Sequence, residues 1–229
     1  MAWWSGERYP KVLFGLFLAE WGAWAVAPPD RLTWLAENAL VFAVVPLLVW
    51  TWHRFRLSNV SYTLVFVYLS LHLMGAHYGY SNVPFEWVRL GTERNHYDRI
   101  VHFSFGLLMA YPIREVFHRV AHARGFWGYY LPLDVTLAFS ALYEVLEWLF
   151  ASVAAPEQGT AFLGSQGDPF DAVKDMALAG AGAALTMTLT ALIGWRYNAD
   201  FWREWRASLK LRRSRPRGEV TLAKWRRGR

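Results

Sequence analysis

Polar positions in this chain are sparse and clustered, and long apolar runs separate them. Six segments can cross about 30 Å of hydrocarbon at about 1.5 Å per residue. They are residues 11–27, 33–52, 60–79, 98–117, 131–152 and 172–193. Over most of their length they are apolar around the whole circumference, where a soluble helix would show one apolar stripe. The pattern predicts an all-α fold, a polytopic membrane helix bundle with six transmembrane helices in residues 1–195. Residues 196–229 form a basic tail. The first segment has features of a secretory signal, with Lys11, an apolar run and Ala25-Val26-Ala27 at its end. Pro28 directly after that tripeptide and Glu20 inside the run argue for a retained helix instead.

Composition sharpens the split between bundle and tail. The chain has 229 residues, 55% hydrophobic and 17% aromatic, with 14 Trp. Its mean hydropathy is only +0.12 because the polar tail offsets the apolar runs. Cysteine is absent, which excludes disulfides, thiolate nucleophiles, Cys-ligated iron–sulfur clusters and Cys-ligated zinc.

Charge sets the expected topology, because Lys and Arg concentrate in cytoplasmic loops. Nineteen of them fall at the start of the chain, in the second and fourth connections and in the tail. Four fall on the opposite side: Arg31, Arg89, Arg94 and Arg99. Both termini are therefore expected to be cytoplasmic. The connection over residues 155–169 has no Lys or Arg, which agrees with this. In the tail, Trp202, Trp205 and Leu209 recur at i, i+3, i+7 between Arg203, Arg206 and Lys210. That spacing suits an interfacial helix on anionic lipid, followed by a disordered end. Membrane lipids are the expected partners and nucleic acid is not.

With this topology, the ionisable residues of all six helices come to one depth. Glu20, Glu37, His72 and His77, Asp98 and His102, Glu144 and Glu147, and Asp168, Asp171, Lys174 and Asp175 all fall towards the outer face. Asp134, Arg114 and Glu115 fall towards the inner one. Ionisable groups inside a membrane are costly and face a bundle interior or a water-filled cavity, so the pattern implies a polar chamber open to the extracytoplasmic side. Spacing adds detail. Asp98 and His102 are one turn apart, as are Glu144 and Glu147, and Asp168, Asp171 and Asp175 follow i, i+3, i+7 on one helical face. Such carboxylates need shared protons, nearby Lys or Arg, or a divalent metal. In residues 179–184, AGAGAA offers small side chains for close helix packing.

NHYDRIVHFSFG, SALYEVLEW and FLGSQGDPFDAVKDM, in this order across residues 62–192, resemble the YjdF-type inner-membrane proteins, a family of unknown function. More distantly, DRIVHF and DPFDAVKDMALAGAGA resemble the VanZ-like family, which is associated with glycopeptide resistance. Arg99 stands where that pattern has Lys, and the last helix lacks its Asn. Both resemblances imply a multi-pass protein of the inner membrane and supply no reaction.

Three readings of the cluster follow. In a membrane enzyme acting on a lipid or lipid-linked headgroup, the catalytic candidates are His102, Asp98, Glu144 and Glu147. A metal would be held by His102, Asp168, Asp171 and Asp175, and substrate by Arg94, Arg99, His96 and Asn95. No residue is assigned to an organic cofactor. The other readings are a proton- or cation-coupled transporter and a non-catalytic scaffold whose polar network fixes the helices.

Overall fold

The computed structural model describes residues 6–153, 164–210, 218 and 224–226. The expected disordered end of the tail and much of the connection over 155–169 lie outside the described residues. The described residues are helical, joined by loops and turns: α1 Arg8–Trp24, α2 Arg31–Glu37, α3 Ala39–Thr51, α4 Asn59–Tyr78, α5 Tyr97–Val120, α6 Trp127–Val153, α7 Asp171–Tyr197 and α8 Phe201–Ser208. Five segments are long and apolar enough to cross a membrane: Arg31–Thr51, which joins α2 and α3, then α4, α5, α6 and α7. The expected first span is α1. Its 17 residues extend about 26 Å, short of the hydrocarbon thickness of about 30 Å.

The run expected as one helix over 33–52 is broken at Asn38. This side chain is fully buried. Its Nδ2 donates to the Trp34 carbonyl and its Oδ1 accepts from the Trp21 indole, each at 2.8 Å. An Asn that bonds backbone inside a helix competes with the helical ladder, and here it also ties α2 to α1.

Burial is inverted relative to a water-soluble globule. Leu47, Phe139, Leu146, Leu189 and Ile193 point outward and are exposed. Ser61, His72, Thr136, Ser140 and Asp175 are buried. The interior also holds a large apolar cluster around α4, with Leu69, Leu73, Val88 and Tyr97 buried. An apolar exterior with polar groups kept inside is what a lipid solvent selects.

α5 is the central element and packs on α4, α6 and α7, while α1 and α2 pack on α4. The α5–α7 contact is the closest in the bundle. A Cβ on Gly106 would overlap the Ala179 carbonyl oxygen and lie 2.7 Å from Ala183 N. One on Gly182 would overlap the Phe103 carbonyl oxygen and lie 2.7 Å from Leu107 N. The two backbones therefore touch. Thr186 Oγ1 donates to the Leu107 carbonyl at 2.5 Å across the same seam. The small-residue run read from the sequence, with Gly106 opposite it, makes this packing.

At the other end of α5, Glu115 accepts from Ser58 N at 2.9 Å and from Ser61 Oγ at 2.6 Å. It thus satisfies donors at the first turn of α4. Helix α8 lies against the start of α6, with Trp205 on Phe126, Tyr129 and Phe201 at 5.6–5.7 Å between ring centroids. Trp202 faces outward. Leu209, expected to continue the same face, lies just beyond the end of the helix.

Gly106→Ala and Gly182→Ala should each lower stability by about 1–3 kcal/mol or more through overpacking. Gly15→Ala, with nothing within 4 Å of the added Cβ, should be neutral or slightly stabilising. Thermal unfolding of the purified variants in one detergent checks the contrast.

Candidate functional site

The loop before α5 organises the site. Asn95 is buried. Its Oδ1 accepts from Tyr97 N at 3.0 Å and its Nδ2 donates to the Val83 carbonyl at 2.9 Å. Its backbone meets the Gln166 amide twice: Asn95 N donates to Oε1 at 2.9 Å, and Gln166 Nε2 donates to the Asn95 carbonyl at 2.8 Å. This two-bond clasp locks the start of α5 to the loop before α7. Asn95, considered as a substrate ligand, thus has both ends of its amide engaged within the protein.

From that start, α5 carries Asp98 and, one turn later, His102, both buried. His102 Nε2 lies 3.5 Å from Asp98 Oδ1 and 3.3 Å from Glu144 Oε1 of α6. Its Nδ1 lies 3.4 Å from Ser140 Oγ. The imidazole therefore faces two carboxylates on one edge and a hydroxyl on the other. Glu147 is buried one turn beyond Glu144. α7 contributes Asp171 and Asp175, also buried. One oxygen from each of Asp98, Asp171 and Asp175 lies within 4.8 Å of the others. Asp171 Oδ2, Asp175 Oδ1 and Glu144 Oε1 are buried without a hydrogen-bond partner.

Asp168 takes a different place from the one its spacing implied. α7 begins at Asp171, so Asp168 precedes the helix and is not one of the three clustered aspartates. Its Oδ1 accepts from Phe170 N at 3.1 Å, while its Oδ2 receives Arg99 and Lys174, each at 2.6 Å. Bonds from Lys174, from Phe170 N and from Arg99 hold its carboxyl down at about 2. The arginines are also engaged. Arg94 donates to Asp171 Oδ1 at 2.5 Å and to the Ser165 carbonyl at 2.8 Å, and Arg99 reaches Asp171 Oδ1 at 3.1 Å. His96 lies at the rim beside Thr92 Oγ1, at 2.9 Å. Partial burial, with Arg99 and Arg94 nearby, holds its imidazole below the ordinary value.

A further carboxylate joins from α2. Glu37 is buried, and its Oε2 accepts from the Tyr143 hydroxyl at 2.5 Å. The Tyr143 ring stands edge-on to His102 with centroids 6.0 Å apart. His72 Nε2 meets the Glu37 carbonyl at 3.1 Å, and a carbonyl only accepts, so the proton sits on Nε2. His72 Nδ1 then accepts from Tyr80 at 2.5 Å. Six buried carboxylates, those of Glu37, Asp98, Glu144, Glu147, Asp171 and Asp175, thus belong to this end of the bundle, with Arg94 and Arg99 on its Asp171 side. Glu20 and His77 stay apart: Glu20 accepts from Ser70 Oγ at 2.7 Å, and His77 Nδ1 bonds the Trp24 carbonyl at 2.8 Å. Ser140 and Tyr143 are neutral and are not singled out by charge, although they lie one turn before Glu144 and Glu147 on the same helical face.

The family model described as "Predicted membrane protein (DUF2238)" matches residues 9–196. The chain is 39% identical over 172 residues to the inner membrane protein YjdF of Escherichia coli strain K12. That alignment covers 72% of this chain and 81% of the relative. No solved structure matches. These matches bear out the YjdF-type resemblance and the expected inner-membrane location, and they do not extend to the VanZ-like pattern.

Arg94→Gln should destabilise the protein by about 2–3 kcal/mol. That is below the full cost of breaking a buried pair, because Arg99 still reaches Asp171. Adding Asp171→Asn should recover much of the loss, which thermal unfolding of the single and double variants measures. Asp168 has a depressed carboxyl, so its contribution is complete above the unfolded value of about 4 and is lost as pH falls towards 2. The stability difference between the native chain and Asp168→Asn should therefore be constant from pH 7 to about 5 and close between about 4 and 2. Melting curves across that range check it.

Proposed function

We propose, for a chain that belongs to the DUF2238 family of membrane proteins, a membrane enzyme with a divalent-cation site at the extracytoplasmic end of the bundle, acting on a lipid or lipid-linked headgroup. One observation carries the reading. Three aspartates on two helices bring an oxygen each within 4.8 Å, and Asp171 and Asp175 each keep one buried oxygen without a hydrogen-bond partner. An all-oxygen set of this kind suits a hard cation such as Mg²⁺, Mn²⁺ or Ca²⁺, and His102 on its border widens the choice to Zn²⁺. A bound cation would polarise a phosphoryl or carbonyl oxygen of the headgroup.

The chain's own residues supply the remaining parts. His102 is the candidate base, flanked by the Asp98 and Glu144 carboxylates on its Nε2 side and by Ser140 on Nδ1. Glu147, Glu37 and Tyr143 extend the proton-holding groups behind it. Arg94 and Arg99 would hold a phosphate by exchanging carboxylate oxygens for phosphate oxygens, since both ligands fit the guanidinium fork. His96 and Lys174 stand at the rim. The proposed topology has six spans and cytoplasmic termini. In it α1 is a short first span that ends at Trp24, and α8 rests in the headgroup zone.

The guanidinium contacts favour a second reading, a structural network. Arg94 and Arg99 cross-link the α5 end to α7 whether or not anything binds. The two readings separate on metal content. Detergent-purified protein should hold about one divalent metal per chain by mass spectrometry of the metals, and an Asp171→Asn, Asp175→Asn double variant should hold none. An equal, negligible content in both proteins would overturn the cation site and leave the structural network.

A further inference from the structure

The far end of α5 carries a second charged cavity. Arg114 lies 16 residues beyond Asp98 in the sequence, about 24 Å along the helix. There α5, α6, α7 and α8 border an open cavity of about 380 Å³, room for roughly a dozen waters at liquid density. Arg114 and His118 of α5, Arg124, Tyr129 of α6 and Glu204 of α8 line it.

These charges are not neutralised by their neighbours. Arg119 pairs with Glu115 at 2.7 Å and Arg203 with Asp200 at 2.7 Å. Among the described residues no ion pair takes up Arg114, Arg124 or Glu204. The Arg114 guanidinium lies 4.7 Å over the Tyr129 ring, and its Nε is buried without a hydrogen-bond partner. His118 Nδ1 faces the Ala123 carbonyl at 3.3 Å, so that nitrogen donates and Nε2 is the ring nitrogen left over.

The local chain is shaped to keep the cavity. Gly125 has φ +55°, and a Cβ there would lie 2.6 Å from Ser208 Oγ. A Cβ on Gly194 would lie 2.7 Å from the Tyr129 hydroxyl. Ser208 ties α8 to the start of α6: Phe126 N donates to its Oγ at 3.0 Å and the Trp127 indole to its carbonyl at 2.9 Å. This fixes Glu204 in the cavity wall. Trp127, Tyr130, Trp195, Tyr197 and Trp202 are exposed around the same end, the aromatic belt of a membrane interface. The cavity therefore sits at headgroup depth.

We infer that this cavity binds a phosphate ester carrying a primary amine, the chemistry of a phosphoethanolamine headgroup. The phosphate lies against Arg114 and Arg124 and the ammonium against Glu204. A plain anion would meet the Glu204 carboxylate, and a plain cation would meet two guanidiniums. A zwitterion satisfies both, and guanidinium is well matched to phosphate oxygens. The ligand can come from the bilayer or from solution, and the test separates the two sources.

Full-length protein in a non-ionic detergent is titrated calorimetrically with four probes: dihexanoyl phosphatidylethanolamine, dihexanoyl phosphatidylglycerol, free phosphoethanolamine and inorganic phosphate. The ethanolamine lipid should bind at least tenfold tighter than the glycerol lipid. Glu204→Gln should erase that preference. Arg124→Gln, at an exposed position, should fold normally and weaken both lipids by tenfold or more, and Arg114→Lys should do the same. Free phosphoethanolamine binding as tightly as the lipid would uphold the site and assign it a soluble ligand. Equal binding of the two lipids, or binding unchanged in Arg124→Gln, would overturn the inference.

Discussion

The contact between α5 and α7 sets the rest of the architecture. Two helices approach until backbone meets backbone only where Cβ atoms are missing or small, and Gly106, Ala179, Gly182 and Ala183 provide this along one seam. Water exclusion gives no drive for helices to associate in lipid, so close packing and hydrogen bonds must do so. The same approach brings Asp98 and His102 beside Asp171 and Asp175. The acidic cluster is therefore a product of the seam. A wider separation would dissolve the cluster before it disturbed either helix.

The seam also explains the polar clasp above it. Once the two helix starts are adjacent, their orphan backbone groups and like charges must be satisfied locally. Asn95 and Gln166 exchange amide bonds, while Arg94 and Arg99 supply positive charge to Asp171 and Asp168. The clasp holds the loops in place and limits how far the carboxylates can separate. Among the described residues no arginine ion pair reaches Glu37, Glu144 or Glu147.

Much of this was legible in the sequence. All six apolar runs are helical, and most ends fall within three residues of those read from hydropathy. The i, i+4 pair Asp98–His102 and the pair Asp171–Asp175 lie where helical spacing puts them. Asp168 lies just before the helix, where its Oδ1 accepts from Phe170 N, so the i, i+3, i+7 spacing does not carry it onto the face of Asp171 and Asp175. Glu37 was visible as an acid, but its inward direction depends on the break at Asn38, which no periodicity reveals. Ser140 and Tyr143 share the helical face of Glu144 and Glu147, but their partners His102 and Glu37, like the Asn95 partner of Gln166, are not encoded by spacing. In the tail the Trp spacing was legible. That Trp205 turns inward follows from Phe126 and Tyr129, aromatic partners about 80 residues away.

The inverted burial has a thermodynamic consequence. Unfolding a water-soluble domain hydrates apolar surface, and the resulting heat-capacity increase bends its stability curve. Here Leu146, Leu189 and their neighbours touch acyl chains both before and after the helices part, so little apolar surface changes solvent. What is lost on separation is dispersion contact along the glycine seam, hydrogen bonds and ion pairs. The stability of the bundle in lipid should therefore vary nearly linearly with temperature, without the low-temperature downturn that hydrophobic cores impose.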